Sequence, residues 1–597
     1  MKRTVGLLLA LVMVAIMVPG LAEEVIIPRH ETLTYNGQSW GTASSYNPLE
    51  AGGNLGFGTI VPNNPRLFVY ETLYMYNMIT GENEPLIALE APVLEDGVLT
   101  VKLKENVTFN DGVPMTAKDV KFSFDVHNPE LFKDIVTPYA DITVYIASVE
   151  VVDDYTVKFV CSQDNYNPLM VETLFGMTPI LPEHIWQPRW DEHGPAMTKL
   201  FNEDTVGTGA YKLYLNDDAR QVLIRVEDYW GQADNMFGKL AAPKYVMHEL
   251  YQNNDAGNIA FGEGRVDIAQ QFMPSVWEYQ ERMKDENGQP LVKTYFSEKP
   301  YHLGWSMPSM RINQNRPGLD DYVVRKALAL SLDYEAIGTN AMSGYTNDMI
   351  LCYMNAYIFG DYIDWDDEEL QALMWDTTAL DANLEEANRL LDEAGYVDVD
   401  NDGIRELKDG SKYEWKAMCP AGWSDWNMTL DSLAEGAKKI GLNVVTYFPE
   451  AATYTTEIAH GNFDIAMQGV TPPPSMSMPW RGAFNMMYSK GVTPIGEFTN
   501  RNQSRFKNDR IDELVELTML ETDPDILKEY YTEINKIWLS ELPTVPFMYR
   551  PYVFQTTYTY YWTGFASGDG ETKIMPGICY DSAGLRELYL LEPTGRQ

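Results

Sequence analysis

Hydrophobic and polar positions along the chain form two patterns, one with the period of a strand and one with the period of a helix. Residues 99–103 (LTVKL) and 156–160 (TVKFV) alternate apolar and polar side chains, which predicts two half-buried strands. Between them, residues 110–112 (NDG) predict a turn, and Thr116 predicts the N-cap of a helix. Strand and helix signals continue to alternate after this region, which predicts an α/β fold.

The rest of the chain extends this pattern. Asp321 and Asp333 predict the N-caps of two successive helices, and Asn383 with Glu386 resembles a capping box for a helix that ends at Gly395. Neither an internal repeat nor a low-complexity linker interrupts the sequence, so we do not expect domains on flexible tethers. Further strands are predicted at 221–226, 442–447 and 463–467.

The N-terminal residues have the pattern of a secretory signal peptide. Lys2 and Arg3 precede an apolar run at 5–18, and residues 19–22 (PGLA) predict cleavage after Ala22. The alternative is an uncleaved membrane anchor, but so short a run spans a bilayer poorly. We therefore expect residues 1–22 to be removed and the mature chain to be exported. The first cysteine is Cys161, so we expect no lipid anchor at the cleavage site.

The composition narrows the choice of partners. A formal net charge of -41 repels phosphate backbones and anionic membrane surfaces, which argues against nucleic acid as a partner. Cys161, Cys352, Cys419 and Cys579 are too scattered for a disulfide framework; one bridge is compatible with an oxidising compartment, but we expect free, mostly buried thiols. The 14 Trp and 37 Tyr residues suit a pocket for an amphipathic ligand, because each combines a flat apolar face with a polar group.

Nine segments carry a resemblance to a known family. The first, VTFNDGVPMTAKDVKFSFD at 107–125, resembles the hallmark segment of the family 5 extracellular solute-binding proteins, the peptide, nickel and oligosaccharide receptors of bacterial ABC importers. Eight more follow in the order of that family and extend over nearly the whole mature chain. They are LPEHIW (181–186), VGTGAYKL (206–213), EDYWG (227–231), FGEGRVDIA (261–269), VRKALALSLDYEAI (324–337), ANRLLDEAGYVDVDNDG (387–403), GNFDIAMQG (461–469) and ELPTVPFMYR (541–550).

The resemblance implies a fold and a mode of action. Family members have two α/β lobes in the type II periplasmic-binding-protein (Venus flytrap) arrangement, with an extra subdomain inserted in lobe I. Two chain crossings make a hinge, and a ligand that touches both lobes favours the closed state, which a membrane permease then recognises. We expect a monomer in the periplasm or at the outer face of the cytoplasmic membrane. The expected parts are lobe I at 23–70, 205–298 and 553–597, the inserted subdomain at 71–204 and lobe II at 299–552.

One segment of lobe II bears on the ligand. Peptide receptors of the family commonly carry an acidic residue after the late lobe II strand, which pairs with the amino terminus of the peptide. In this chain no Asp or Glu occurs between Asp464 and Glu497. We therefore predict a β-linked oligosaccharide, similar to cellobiose or mannobiose, with an oligopeptide as the alternative.

Candidate ligand-binding residues are taken from segments that resemble the cello- and manno-oligosaccharide receptors of the family. A sugar site needs flat aromatic walls and neutral or acidic hydrogen-bonding groups, and such residues fall on both sides of the expected cleft. The predicted ligand-binding residues are Asn36, Gln38, Trp40, Tyr46, Asn47, Trp305, Trp423, Asp425, Trp426, Gln468, Trp480 and Arg481.

Each of these candidates has a purely structural alternative. A single Trp in an α/β protein is more often part of the core than of a ligand site. Asp425 could serve only as the cap of the helix that follows it, and Asn36 and Asn47 could serve only turns.

No cofactor is expected, but one loop resembles a calcium site. Asp398, Asp400 and Asp402 alternate before Gly403, as in the first half of a calcium-binding loop. The twelfth position is Asp409 rather than Glu, and the simpler alternative is an Asp/Gly turn without metal. Any ion here would be structural.

An enzyme is the competing functional class. His248-Glu249 is followed by Gln252 where a zinc protease needs a second His, and the sequence contains no Walker-type phosphate loop. A glycosidase needs only two well-placed carboxylates, so the acidic residues alone do not exclude it. The family resemblance implies a receptor without catalytic activity. A purely structural surface protein is the third reading.

Overall fold

The computed structural model describes residues 26–51, 55–57, 66–77, 79–80, 82–139, 141–469, 479–551, 554–570 and 582–596, and of Trp305 it describes the backbone only. The predicted signal peptide at 1–22 and Cys579 lie outside the described residues. Within them the chain forms mixed α/β structure built on three larger sheets, as predicted.

The largest sheet has seven strands, all within the ranges expected for lobe I. Thr32–Asn36 runs parallel to both of its neighbours, Tyr245–Glu249 and Ile268–Ala269, so these three strands end at the same edge of the sheet. The predicted strand at 221–226 is confirmed as Arg220–Arg225. The strands in spatial order are Val292–Thr294, Thr556–Tyr558, Ile268–Ala269, Thr32–Asn36, Tyr245–Glu249, Arg220–Arg225 and Tyr211–Asn216.

A five-stranded sheet forms the centre of the region expected for lobe II. Its strands Trp415–Met418, Val444–Tyr447 and Ile465–Gln468 are parallel, whereas Ser309–Ile312 runs antiparallel to Ile465–Gln468 and to Thr544–Pro546. The predicted strands at 442–447 and 463–467 are both present, starting two residues later than expected.

The inserted region carries an antiparallel sheet of four strands. The predicted strands at 99–103 and 156–160 are Val98–Lys102 and Thr156–Cys161, and they pair directly with each other. Thr116 caps the helix between them in a full capping box with Asp119, as the local sequence predicts. The spatial order is Val93–Glu95, Val98–Lys102, Thr156–Cys161 and Ile146–Asp153.

The chain crosses between the lobes in a short two-stranded ribbon. Gly304–Ser306 pairs antiparallel with Arg550–Pro551, so both crossing segments are hydrogen-bonded to each other. Two further pairs, Tyr74–Asn77 with Glu82–Pro85 and Trp562–Thr563 with Glu592–Pro593, complete the strands of the described chain.

Helices cover the sheets, and one of the predicted helix starts is wrong. Asp321 and Asp333 cap their helices as predicted. The helix expected from Asn383 begins at Leu380, because the Asn383 side chain donates to the Asp376 carbonyl instead of accepting a cap bond. The described α-helices are Ala117–Asp125, Asp141–Tyr145, Pro168–Phe175, Glu183–His193, Asn254–Gly262, Val276–Arg282, Tyr322–Leu330, Tyr334–Ala336, Ala356–Phe359, Glu368–Leu373, Leu380–Glu393, Ser424–Lys439, Ala451–His460, Arg481–Met486, Asp509–Leu520, Pro524–Glu541 and Glu587–Leu590.

The two lobes are in contact with each other. Asn254 Nδ2 of lobe I lies 3.2 Å from Ser424 Oγ of lobe II, and a Cβ atom at Gly422 would come within 2.8 Å of Asn253 Cβ. Apolar packing crosses the boundary as well, since Phe272 of lobe I packs edge-on against Tyr345 of lobe II with 6.0 Å between the ring centroids, and both belong to one core cluster. The structure therefore presents the two lobes against each other.

Buried thiols and helix composition complete the description. Cys161, Cys352 and Cys419 are free and buried, as predicted for those three. Within the part of the chain that the structure describes, none of the helices combines the length and the apolar character needed to cross a bilayer.

Candidate ligand-binding cleft

Amide side chains form the lobe I wall of the cleft. Strands 32–36 and 268–269 end side by side, which brings Asn36 and Gln38 next to Gln270 and Gln271. Asn36 Nδ2 donates to the Gly257 carbonyl at 3.1 Å. Asn36 Oδ1, Gln38 Oε1, Gln271 Oε1 and both polar atoms of the Gln270 side chain are buried without a hydrogen-bond partner in the described chain.

Gly37 allows this wall to form. Its φ of +88° is a left-handed conformation, and a Cβ atom here would lie 2.3 Å from the Gln271 backbone nitrogen. Any other residue would push the turn away from strand 268–269. The close approach is what brings the two groups of amides together.

The lobe II wall is made by the first turn of helix 424–439. Asp425 is 1% exposed, and its Oδ2 accepts from Arg550 Nε at 2.6 Å, while its Oδ1 has no partner among the described residues. Trp426 packs edge-on against Trp423 at 4.9 Å between ring centroids, and its indole Nε1 is buried and unpartnered within the described structure. Two polar atoms of this wall are therefore available to a ligand.

The suggestion that Asp425 is only a helix cap is wrong. The N-cap position is Trp423, with no side-chain cap bond, and Asp425 lies inside the first turn. Its carboxylate is directed to Arg550 of the crossing ribbon. Asp425 thus joins the lobe II helix to the hinge.

The crossing ribbon and the end of strand 465–468 lie beside this wall. A Cβ atom at Gly469 would lie 3.7 Å from Ser306 Oγ and 3.9 Å from Trp426 Cζ2. Gln468 is half-buried, and its Oε1 accepts from the Tyr454 hydroxyl at 2.6 Å. Trp305 is part of the ribbon strand, but its side chain lies outside the described structure.

Two predicted site residues have structural roles instead. Asn47 uses its whole amide inside the protein: Nδ2 donates to the carbonyls of Met197 and Leu200, and Oδ1 accepts from the Leu49 backbone. Tyr46 is 1% exposed, and its hydroxyl lies 3.4 Å from Gln221 Oε1. Both residues fix lobe I to the segment that returns from the inserted subdomain, so the turn alternative describes Asn47 correctly.

The remaining three predicted residues differ in burial, and Trp480 is 3% exposed within a hydrophobic core cluster. Trp40 is half-buried two residues after Gln38. Trp480 and Arg481 lie at the start of helix 481–486, and Arg481 Nη1 forms an ion pair of 3.0 Å with Asp141 of the inserted subdomain. This pair joins lobe II to the subdomain.

Gln270, Gln271 and Arg550 were not predicted from the sequence. Gln270 and Gln271 directly follow the segment 261–269, and two adjacent amides at the end of a strand are a signal that could have identified them. Arg550 ends the segment 541–550, but nothing local indicates that it pairs with a residue 125 positions earlier.

The charges of this cleft largely cancel. The one carboxylate of the lobe II wall, Asp425, is paired with the guanidinium of Arg550, and the lobe I wall consists of neutral amides. Removing one partner of a buried ion pair is strongly destabilising, because it leaves the other charge without compensation. The arrangement offers hydrogen bonds rather than an uncompensated charge.

The predicted calcium ligands come together only in part. Oxygen atoms of Asp398, Asp400 and Asp402 lie within 4.8 Å of one another. Lys412 Nζ already contacts Asp400 at 2.5 Å and Asp402 at 2.7 Å, and Asp409 accepts from Ser411. The ammonium group thus neutralises the position that a cation would take, and a calcium ion would have to displace it.

A separate cavity of about 490 Å³ lies within lobe II. Its lining runs from Asp333 to Met548 and includes Asn347 and Phe547, all of them lobe II residues. Because no described lobe I residue lines it, a ligand there would not bridge the hinge.

Comparison with known proteins decides the family. The family model of the bacterial extracellular solute-binding proteins, family 5, matches residues 82–489, which is more than half of the chain. The chain belongs to this family. It is therefore a substrate-binding component of an ABC importer, and such receptors are not enzymes, as the sequence analysis predicted.

Relatives and solved structures agree with the fold and differ in their ligands. The chain is 22% identical over 553 residues to a probable peptide-binding protein, YejA, of Agrobacterium fabrum, covering 86% of this chain and 84% of that protein. It matches a mannohexaose-bound periplasmic oligopeptide-binding protein of Thermotoga maritima with a TM-score of 0.82 at 24% identity, covering 96% of this chain and 100% of the other. The structure of Bacillus subtilis AppA in complex with a nonapeptide matches with a TM-score of 0.72 at 19% identity, covering 94% of this chain and 99% of AppA. These similarities confirm the two-lobed fold.

Proposed function

We propose that the protein captures a neutral, β-linked oligosaccharide, similar to cellobiose or mannobiose, in the cleft between its lobes and delivers it to a membrane permease. The observation that carries this proposal is the set of buried polar atoms on both walls that have no partner among the described residues. They are the amide oxygens of Gln38 and Gln271, both polar atoms of the Gln270 side chain, Oδ1 of Asp425 and the indole N–H of Trp426. Buried polar atoms without partners are costly, so a ligand that supplies the missing hydrogen bonds stabilises the closed form.

The chemical types of these groups favour a sugar. A sugar hydroxyl both donates and accepts, so it can satisfy amide oxygens, amide N–H groups and a carboxylate oxygen together. The rings of Trp423 and Trp426 offer flat apolar surface for the C–H faces of a sugar. The combination of neutral amides and indoles is typical of a site for an uncharged polyhydroxylated ligand.

An oligopeptide is the second candidate, and the relatives favour it. Agrobacterium YejA is described as probably peptide-binding, and the AppA structure holds a nonapeptide. A peptide brings an ammonium group that must find a carboxylate when it is buried. Asp425 is already paired with Arg550, and the sequence has no acidic residue between Asp464 and Glu497. These two features favour the sugar.

The expected affinity is modest. A disaccharide has about two dozen heavy atoms, and about -0.3 kcal/mol per atom corresponds to roughly -7 kcal/mol, or a Kd on the order of ten micromolar. A longer oligosaccharide would bind more tightly if it contacts more of the cleft.

A thermal-shift screen tests the proposal. Cellobiose, mannobiose, xylobiose and a set of di- to pentapeptides are each added at about 100 times the expected Kd, where binding adds about 2.7 kcal/mol to the free energy of unfolding. We expect a rise in Tm with at least one β-linked sugar and none with the peptides. A rise with peptides alone would overturn the sugar assignment while leaving the family intact.

Export, the permease contact and the monomeric state are parts of the same proposal. The signal-peptide pattern at 1–22 supports export, and the family supports a membrane partner. We treat the acidic loop at 398–403 as a turn neutralised by Lys412. A rise in Tm on adding calcium would reverse that assignment.

A further inference from the structure

A buried histidine lies directly beneath the loop that carries Gln38. His248 belongs to strand 245–249, where it lies opposite Tyr35 of the neighbouring parallel strand. The backbone N–H groups of Gln38 and Ser39 donate to His248 Nε2 at 2.9 and 3.2 Å. One imidazole nitrogen thus accepts two consecutive N–H groups of a candidate ligand loop.

These bonds define the protonation of the ring. Because Nε2 accepts two hydrogen bonds, the proton of the neutral imidazole is on Nδ1. His248 is fully buried against Phe57, and burial lowers the pKa of His248 to about 3. The ring therefore remains a neutral acceptor over the physiological pH range.

The same loop is held from its other side by lobe I backbone. Gly37 packs so closely on strand 268–269 that a Cβ atom would clash with the Gln270 carbonyl carbon at 2.7 Å and with the Gln271 nitrogen. His248 and Gln271 therefore confine residues 37–39 between them. The Gln38 side chain, half-buried with an unpartnered Oε1 among the described residues, projects from this fixed backbone.

We propose that His248 is a positioning residue of the binding site: by accepting from the backbone of Gln38 and Ser39, it holds the Gln38 amide in the orientation that receives the ligand. This inference rests on the proposed function, since it takes Gln38 as a ligand contact. His248 itself does not touch the ligand. Its effect is to remove loop motion that binding would otherwise have to suppress.

Two substitutions at His248 distinguish the effect of the hydrogen-bond acceptor from the effect of filling the volume of the ring. His248→Leu keeps an apolar side chain but has no acceptor, whereas His248→Gln places an amide oxygen near the position of Nε2. His127 supplies the matched control, because it is also buried, lies 2.8 Å from Thr137 Oγ1 and belongs to the inserted subdomain. His127→Leu tests the effect of losing a buried histidine elsewhere in the protein.

Hydrogen exchange in the absence of ligand provides the first measurement. We expect the Gln38 and Ser39 amides to exchange at least about tenfold faster in His248→Leu, and near the wild-type rate in His248→Gln and His127→Leu. Equal protection of these two amides in wild type and His248→Leu would overturn the proposal.

Calorimetric titration with cellobiose and with mannobiose provides the second measurement, the Kd of each variant. We expect His248→Leu to raise the Kd about tenfold, His248→Gln to restore it to within about threefold, and His127→Leu to lower Tm without changing the Kd. An unchanged Kd in His248→Leu would overturn the inference while sparing the proposed function. If wild type binds neither sugar, the proposed ligand is wrong, and the exchange result alone decides the role of His248.

Discussion

At the scale of single residues, the cleft is marked by polar atoms that the protein leaves unsatisfied. Trp426 is the clearest case, because its indole N–H is buried beside the crossing ribbon with no acceptor in the described structure. A buried donor without an acceptor destabilises the free protein, and it favours binding only when a ligand oxygen accepts its hydrogen bond.

Trp426→Phe should therefore weaken ligand binding without lowering the stability of the free protein. Without ligand, we expect Tm to stay level or rise, since the unmet donor is gone. The Kd for the sugar found in the screen should increase about fivefold, which corresponds to about 1 kcal/mol for one lost hydrogen bond. Trp277→Phe is the control, since Trp277 is 40% exposed on a lobe I helix. Equal Kd values for both variants would remove Trp426 from the site.

Glu71 gives a residue-scale prediction about pH. It is fully buried where lobe I meets the inserted subdomain, receives hydrogen bonds from Tyr229 and from Trp230 Nε1, and burial raises its pKa to about 7. The folded protein thus holds a proton that the unfolded chain loses above about pH 4.5, so this group lowers the free energy of unfolding as the pH rises from about 4.5 to 7.

Glu71→Gln should remove that contribution. Between pH 4.5 and pH 8, we expect the free energy of unfolding of the variant to gain up to about 3 kcal/mol relative to wild type, with no further change above pH 8. Denaturant titrations of both proteins at pH 5, 6, 7 and 8 measure this difference in the free energy of unfolding. The buried histidines contribute equally to both proteins, so their effect cancels in the difference. Parallel pH profiles would contradict the prediction.

At the scale of elements, most features set by neighbouring residues were predictable, whereas contacts between distant segments were not. The Thr116 capping box and the strands at 98–102 and 156–161 were predictable because their determinants lie within a few residues. The start of helix 380–393 was not, since the Asn383 side chain bonds backward to Asp376. The lobe I wall depends on which strands become neighbours, so the sequence did not predict Gln270 and Gln271, which lie beside the predicted residues Asn36 and Gln38.

A contact between the inserted subdomain and lobe II makes an element-scale prediction. Helix 141–145 of the inserted subdomain and helix 481–486 of lobe II are joined by the Asp141–Arg481 pair, and Asn167 Nδ2 donates nearby to the Met519 carbonyl at 2.5 Å. These bonds exist only when the subdomain and lobe II are together. The pair is partly exposed, so its contribution is below about 1 kcal/mol and should weaken in salt.

Breaking the pair should loosen the closed state. Asp141→Asn and Arg481→Gln should each raise the Kd of the bound sugar about two- to fivefold at low salt, with little effect at 1 M salt. The charge exchange Asp141→Arg with Arg481→Asp should recover most of the affinity. If the exchanged variant binds no better than the single variants, the ion pair does not stabilise the closed state.

At the scale of the whole molecule, the hinge connects the site to the import function. The crossing ribbon 304–306 with 550–551 carries Arg550, which holds Asp425 on the lobe II wall, so the same residue belongs to the hinge and to the cleft. A ligand that bonds both walls changes the balance between open and closed lobes by its differential affinity. In the proposed function, closure of the lobes is the change that a membrane permease would recognise.

Small-angle X-ray scattering tests this account most directly. The radius of gyration is measured for the mature chain alone and with saturating cellobiose, mannobiose or a pentapeptide. We predict that a β-linked sugar contracts the protein and that the pentapeptide leaves the scattering curve unchanged. Contraction with the peptide alone, or identical curves with every ligand, would contradict the claim that a neutral oligosaccharide closes the lobes.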